Sequence, residues 1–173
     1  MSERSLGPIV DAAAALLEST AGLLESIDDA AYARPSPACQ DASIGQHVRH
    51  LTDHFASLVD GYEADAPVCY DQRKRGTDIE SDRAAAAAML RGLRSRIADL
   101  DDTQLNFSVR IRVLPAPGAA EVDLETSLGR ELAFVTHHAV HHHAIIRVIA
   151  AEQGVDLGDA FGRAPATVQA ENG

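Results

Sequence analysis

The sequence predicts an all-α protein, a four-helix bundle with a small β-hairpin inserted before the last helix. Alanine, the best helix former, occupies 31 of 173 positions. Four stretches of about 20 residues carry apolar residues at helical spacing, and one short stretch near residue 110 alternates apolar and polar residues instead. The chain is long enough to bury one core, and no internal repeat or linker divides it. We therefore predict a single domain over residues 1–173.

The first two helices are delimited by proline and capping signals. A helix over about 8–31 starts at Pro8, since proline suits the first turn of a helix. The segment 34–41 contains two prolines and ends it. The second helix, about 43–64, opens with Ser43-x-x-Gln46, the pattern of a capping box in which a hydroxyl accepts from a free backbone N–H.

The second half of the chain predicts two more helices and the hairpin. Thr77-x-x-Glu80 is another capping-box pattern, and a third helix follows over about 78–100. Residues 107–113 and 122–124 alternate around a turn-like PAPG segment, which predicts a hairpin over about 106–125. The last helix, about 126–153, stops at Gly154, where a glycine C-cap is expected. The tail, 155–173, is predicted to be a loop.

Composition excludes several classes of function. Fifteen basic and 26 acidic residues give a net charge of −11, which argues against a general nucleic-acid binder and against docking on anionic membranes. No apolar run of about 18 residues is present, so we expect no membrane span. The apolar patch between Asp11 and Glu18 is interpreted as a helix and not as a secretory signal. Two isolated cysteines form no disulfide framework, which favours a reducing cytoplasm.

The eight histidines all fall in two windows, residues 47–54 and 137–143, on helices of the same predicted bundle. His138 and His142 lie one turn apart within the apolar stripe of the last helix. Two imidazoles in an aliphatic core are unfavourable without polar partners, and one divalent ion satisfies both. The spacing therefore predicts a metal site, because H-x-x-x-H on a helix presents two ligands to one ion.

Helical periodicity also orders the remaining histidines. On the last helix, His137 and His141 lie on one flank of the apolar stripe, and His143 is predicted to point away from it. On the second helix, periodicity favours His47 as the third ligand, ahead of His54 and then His50. The stripe used for the last helix consists of seven apolar residues: Leu128, Phe134, Val135, Ile145, Ile146, Val148 and Ile149.

Two segments, SIGQHVRHLTDHF at 43–55 and RELAFVTHHAVHHHAII at 130–146, make the chain resemble the DinB/YfiT-like metalloenzyme family. The resemblance implies a four-helix bundle with a three-histidine metal site. One ligand comes from the second helix, in a segment of the form G-x-x-x-x-H-L, which here runs from Gly45 to His50. The other two come from the H-x-x-x-H of the last helix. The resemblance thus selects His50 with His138 and His142, where periodicity alone prefers His47.

Other side chains are candidates for supporting roles around this site. His47, His54, His137 and His141 are extra histidines, which leaves open a fourth ligand, a second and weaker ion, or an outer-sphere role. Asp53 and Glu131 are candidate acceptors for an imidazole N–H; Glu131 lies seven residues before His138 and so on the same helix face.

The loop YDQRKRG at 70–76 is a local positive run in an acidic chain. Tyr70, Arg73 and Arg75 are candidate substrate-binding residues there, since arginine offers a two-pronged contact to a carboxylate. The alternative is a solvated charged loop.

The resemblance implies the activity only broadly. Understood relatives include transferases and isomerases that use low-molecular-weight thiols such as bacillithiol and mycothiol, and relatives are often dimers. Three neutral histidines leave a divalent ion with an open position, at which a thiol or water becomes a nucleophile. Zinc is the favoured ion, with nickel or iron as alternatives. A metal-dependent hydrolase, or a non-catalytic binding or stress-response protein stapled by its metal, are the alternative functions.

Overall fold

The computed structural model describes residues 5–71 and 77–172. Its four long helices are α1 (Gly7–Ser26), α3 (Ile44–Glu63), α4 (Arg83–Ala98) and α6 (Leu128–Glu152). Helix α1 contacts α4 and α6, and α3 contacts the same two helices from the other side. The four helices therefore close into a bundle, which confirms the predicted helical fold.

Shorter elements connect and cover this bundle. The helices are α2 (Asp29–Ala33), α5 (Asp102–Leu105) and α7 (Pro165–Asn172), the 3₁₀ turns are Pro37–Cys39 and Asp78–Glu80, and the strands are β1 (Val68–Cys69), β2 (Ser108–Val113) and β3 (Val122–Ser127).

The capping signals explain where the long helices begin. Ser43 accepts a hydrogen bond from the Gln46 amide at 3.2 Å, as its pattern predicts. The predicted helix 8–31 is instead two helices, because α1 ends at Ser26 and the Asp28 side chain caps a separate α2. Thr77 makes no side-chain cap, and α4 starts later, where Asp82 accepts from two backbone amides at 2.8 and 3.0 Å.

The hairpin forms as predicted and belongs to a three-stranded sheet. Strands β2 and β3 pair antiparallel from Ser108↔Ser127 to Val113↔Val122. Strand β1, which follows α3, pairs parallel with β2 on the side opposite β3. Its two residues are too few to show any periodicity, so the sequence pattern did not indicate it. The sheet ties the end of α3 to the segment that enters α6.

The segment after α6 is not the loop that the sequence predicts. Gly154, at φ +75°, ends α6 as expected, but residues 165–172 form helix α7. Between them the chain returns to the bundle, and the Phe161 ring stacks on His143 with centroids 4.2 Å apart. Gly162, at φ +73°, lies so close that a Cβ there would be 2.7 Å from the His143 carbonyl oxygen. The tail is thus docked on α6.

The core is mainly aliphatic and takes residues from all four long helices. Leu17, Leu51, Leu90 and Leu132, one from each long helix, are fully buried. Helix α1 has the length and mean hydropathy (1.2) of a membrane span, contrary to the expectation from the sequence. However, its buried residues lie on the side facing α4 and α6, which is typical of a core helix in a soluble bundle.

Candidate metal centre

Three histidines from two helices converge at the interface of α3 and α6. The Nε2 atom of His138 lies 3.1 Å from Nε2 of His50 and 3.1 Å from Nε2 of His142. One donor atom from each of the three lies within 4.8 Å of the others. The cluster forms because His138 and His142 are stacked one turn apart on α6 while His50 faces them from α3. Such a set could hold one metal ion.

Burial keeps the most enclosed of these imidazoles neutral. His50 and His142 are each only 8% exposed, and His138 is half-buried. Desolvation above all, and then the neighbouring His50 and His138, lower the pKa of His142 to about 2. A neutral imidazole keeps a free lone pair, which is the form that binds metal. The site therefore presents at least one ligand that needs no deprotonation at neutral pH.

His47 lies behind His142 and not within the three-donor set. Its Nδ1 is 3.0 Å from Nδ1 of His142, on the opposite side of that ring from His138. The other ring nitrogen of His47, Nε2, is buried and has no hydrogen-bond partner among the residues that the structure describes. Burial, and then the nearby His141, lower the pKa of His47.

His54 and His141 flank the cluster from two sides. The Nδ1–H of His54 donates to the His50 carbonyl at 3.0 Å, and its ring stacks on His138 at 4.4 Å. His141 is exposed, with its ring centroid 5.4 Å from that of His142. Within the described part of the chain, the group of donors within 4.8 Å of one another contains no fourth member.

Tyr70 and Glu131 form one wall beside the cluster. The Tyr70 ring stacks on His54 at 5.1 Å and lies 5.6 Å from the Phe134 ring. Its hydroxyl donates to Oε2 of the fully buried Glu131 at 3.0 Å, and Arg130 contacts Oε1 at 2.5 Å. Burial and the Glu131 carboxylate both raise the pKa of Tyr70. The two Glu131 oxygens therefore accept hydrogen bonds from Tyr70 and Arg130.

Asp53 faces an ion-pair network next to the cluster. Its carboxylate lies 3.1 Å from Nη1 of Arg49, whose Nε is 2.7 Å from Glu80. Arg49 is buried, so this network holds the 3₁₀ turn at Asp78–Glu80 against α3. The predicted substrate-binding residues Arg73 and Arg75 lie outside the described residues.

Three predictions about α6 from periodicity are wrong. His143 does not point away from the core: it is 4% exposed, and its Nε2 is 2.8 Å from Oγ1 of Thr20 on α1. Phe134 and Val148 are 40% and 51% exposed, although both were assigned to the buried stripe. Helix α6 packs against α3 on one side and α1 and the tail on another, so its buried surface is broader than a single stripe and centred differently.

Comparisons with known proteins support the fold, and the matched region contains the histidine cluster. A family model described as the DinB superfamily matches residues 12–146, which contain all three clustered histidines. The chain is 35% identical over 104 residues to FK506-binding protein 5 of Rhizopus delemar, over 58% of this chain and 26% of that protein. It therefore spans about a quarter of the length of that curated relative.

A solved structure gives the third comparison. A DinB-like protein from Bacillus subtilis superposes with a TM-score of 0.62 at 18% identity, covering 90% of this chain and 99% of that one. At that identity the likeness shows the fold alone.

Proposed function

The chain belongs to the DinB superfamily, and on that basis we propose that it is a metal-dependent enzyme acting on a small molecule, with His50, His138 and His142 as metal ligands. The observation that supports this proposal most is the convergence of the three Nε2 atoms, each pair of neighbours 3.1 Å apart. One metal ion can accept a lone pair from each of three imidazole nitrogens that lie this close together.

The donor set favours a borderline metal ion. Three neutral nitrogens suit zinc, nickel or iron, and they leave the full charge of a divalent ion uncompensated. With three protein ligands, a tetrahedral ion keeps one position for an exogenous ligand, as catalytic zinc sites do. A metal bound there would lower the pKa of a thiol or water in that position.

We propose a thiol-dependent transferase or isomerase as the reaction class, with a low-molecular-weight thiol as cosubstrate. The side chains around the cluster suit a small organic partner. Tyr70 and Phe134 offer ring faces on one side of His138. The Arg130 guanidinium lies 5.6 Å over the Phe134 ring and is exposed, so it can hold an anionic group at the rim. Arg73 and Arg75 remain proposed contacts for the same group.

Metal analysis of protein purified without a histidine tag tests the metal site. We expect one equivalent of divalent metal per chain, and His142→Ala should lose stoichiometric binding because it removes one of three ligands. His137→Ala is the matched control, since His137 is an exposed histidine on the same helix. If His142→Ala still retains one tight equivalent, the ligand assignment is wrong.

A thiol titration tests the reaction class separately. Co²⁺-substituted protein should change its visible spectrum when a small thiol is added, because the thiolate would occupy the open position. An unchanged spectrum in the cobalt-loaded protein would argue for a hydrolase that activates water instead.

A further inference from the structure

We propose that His47 is a positioning residue: it accepts a hydrogen bond from the Nδ1–H of His142 and thereby fixes the tautomer in which His142 presents Nε2 to the metal. This inference rests on the metal site proposed above. It assigns His47 a role distinct from that of a ligand, although periodicity placed it first among the ligand candidates of its helix.

The two ring nitrogens of His142 each face another histidine. Nε2 is 3.1 Å from Nε2 of His138, and Nδ1 is 3.0 Å from Nδ1 of His47. A neutral imidazole carries one proton. With that proton on Nε2, His142 could not act as a ligand from the nitrogen that faces the cluster. With the proton on Nδ1, Nε2 is free, and His47 must then be the acceptor.

The other ring nitrogen of His47 makes no hydrogen bond within the described part of the chain, so the contact with His142 is the one hydrogen bond of the ring found there. Nε2 of His47 is buried and has no partner among the described residues. A buried polar atom without a hydrogen bond is destabilising. An apolar side chain of similar size would avoid that loss, so stability alone does not account for a histidine here. The hydrogen bond to His142 gives a reason for a histidine at position 47.

A histidine acceptor differs chemically from the more common carboxylate. Metal-bound histidines usually donate to a carboxylate or a backbone carbonyl, and a carboxylate makes the ligand more basic. The nearby carboxylates are engaged elsewhere, since Glu131 accepts from Tyr70 and Arg130 while Asp53 pairs with Arg49. A neutral acceptor orients His142 without adding negative charge. The ion would then remain a stronger Lewis acid toward its exogenous ligand.

Two substitutions at position 47 separate orientation from packing. His47→Asn keeps a carbonyl oxygen close to the position of Nδ1, whereas His47→Leu keeps the bulk and removes the acceptor. We expect His47→Leu to weaken zinc binding by about 10- to 100-fold, the usual effect of losing such a partner, and His47→Asn to stay near the original affinity. His137→Leu is the control for removing a histidine from the surface. Affinity is measured by competition with a chromogenic zinc chelator, with far-UV circular dichroism as the check on folding.

Nitrogen-15 NMR of the imidazoles provides a readout that does not depend on the variants. His142 should be protonated at Nδ1 both in metal-free and in zinc-loaded protein, and the metal-free His47→Leu variant should show a mixture of tautomers. Equal zinc affinity in His47→Leu, or an affinity in His47→Asn as weak as in His47→Leu, would overturn the proposal. So would a metal-free His142 protonated at Nε2. If unmodified protein binds no zinc equivalent, the proposed function fails instead, and the tautomer of metal-free His142 still decides whether His47 is the acceptor.

Discussion

Two adjacent histidines on α6 face different parts of the molecule and differ in their environment. His142 faces α3 and the candidate metal centre, while His143 faces α1 and the tail. The Thr20 hydroxyl donates to the Leu16 carbonyl at 2.9 Å, so its oxygen accepts from His143, which must be protonated on Nε2. Desolvation lowers the pKa of His143 to about 4. This residue is therefore a neutral, hydrogen-bonded core histidine.

The neutral state of His143 predicts acid sensitivity. An unfolded histidine titrates near 6.5, so protons favour the unfolded chain as the pH falls from about 6.5 to about 4. At pH 5 this group alone should lower the free energy of unfolding by about 2 kcal/mol relative to pH 7.5. His143→Gln keeps a donor for Thr20 and cannot titrate, so urea denaturation should show a weaker pH dependence for that variant. Identical pH dependence of the two proteins would contradict the assignment.

The three proposed ligands were predictable to different degrees. His138 and His142 follow from a one-turn spacing, which any helix converts into stacked side chains. His50 followed only from the resemblance, because periodicity ranks residues by their angle around one helix axis. That angle does not tell which nitrogen of a ring reaches a facing helix. His47 lies at the same interface, but its Nδ1 meets the far side of His142.

Among the elements, local signals predicted α3 and the hairpin well, although the Thr77 capping pattern was wrong, and the elements held by tertiary contacts were not predicted. Helix α3 begins where its serine cap predicts, and the hairpin follows from strict alternation. Strand β1 exists because β2 is beside it. The docking of the tail likewise depends on the His143–Phe161 stack and on close backbone approach at Gly162, neither of which has a sequence period.

Gly162 and Gly158 allow a matched test of this docked tail. Both have φ of +73°, but a Cβ at Gly158 would meet no atom within 4 Å, whereas at Gly162 it would meet the His143 backbone. Gly158→Ala should cost about 1 kcal/mol for the left-handed conformation alone. Gly162→Ala should cost more, about 2–4 kcal/mol, because a clash is added. Thermal denaturation of both variants compares them, and equal destabilisation would mean that the tail is not packed against α6.

At the scale of the whole molecule, the candidate metal centre lies at one of several interfaces between the long helices. Within residues 5–71 and 77–172, the histidine cluster lies between α3 and α6 and not between α1 and α4, and fully buried leucines line all four long helices. The apolar core is therefore sufficient in extent for folding without an ion.

Chelation should accordingly remove metal without unfolding the protein. We expect EDTA-treated protein to retain its far-UV circular dichroism and a cooperative thermal transition. Its Tm should fall only to the extent that the ion's binding free energy stabilises the folded state. His142→Ala should melt close to the chelated protein and should not respond to EDTA. Loss of helical signal on chelation would instead identify the metal as a structural staple.

The distance along the chain between the proposed ligands means that metal binding would report on one step of folding. His50 and His138 are 88 positions apart, and the intervening segment contains the sheet and α4. Their nitrogens come together only once the early and late helices have docked. A Co²⁺ absorption band, followed in a stopped-flow refolding experiment, would therefore appear with the closure of this long loop. It would time one defined long-range contact, whereas circular dichroism reports helix formation anywhere in the chain.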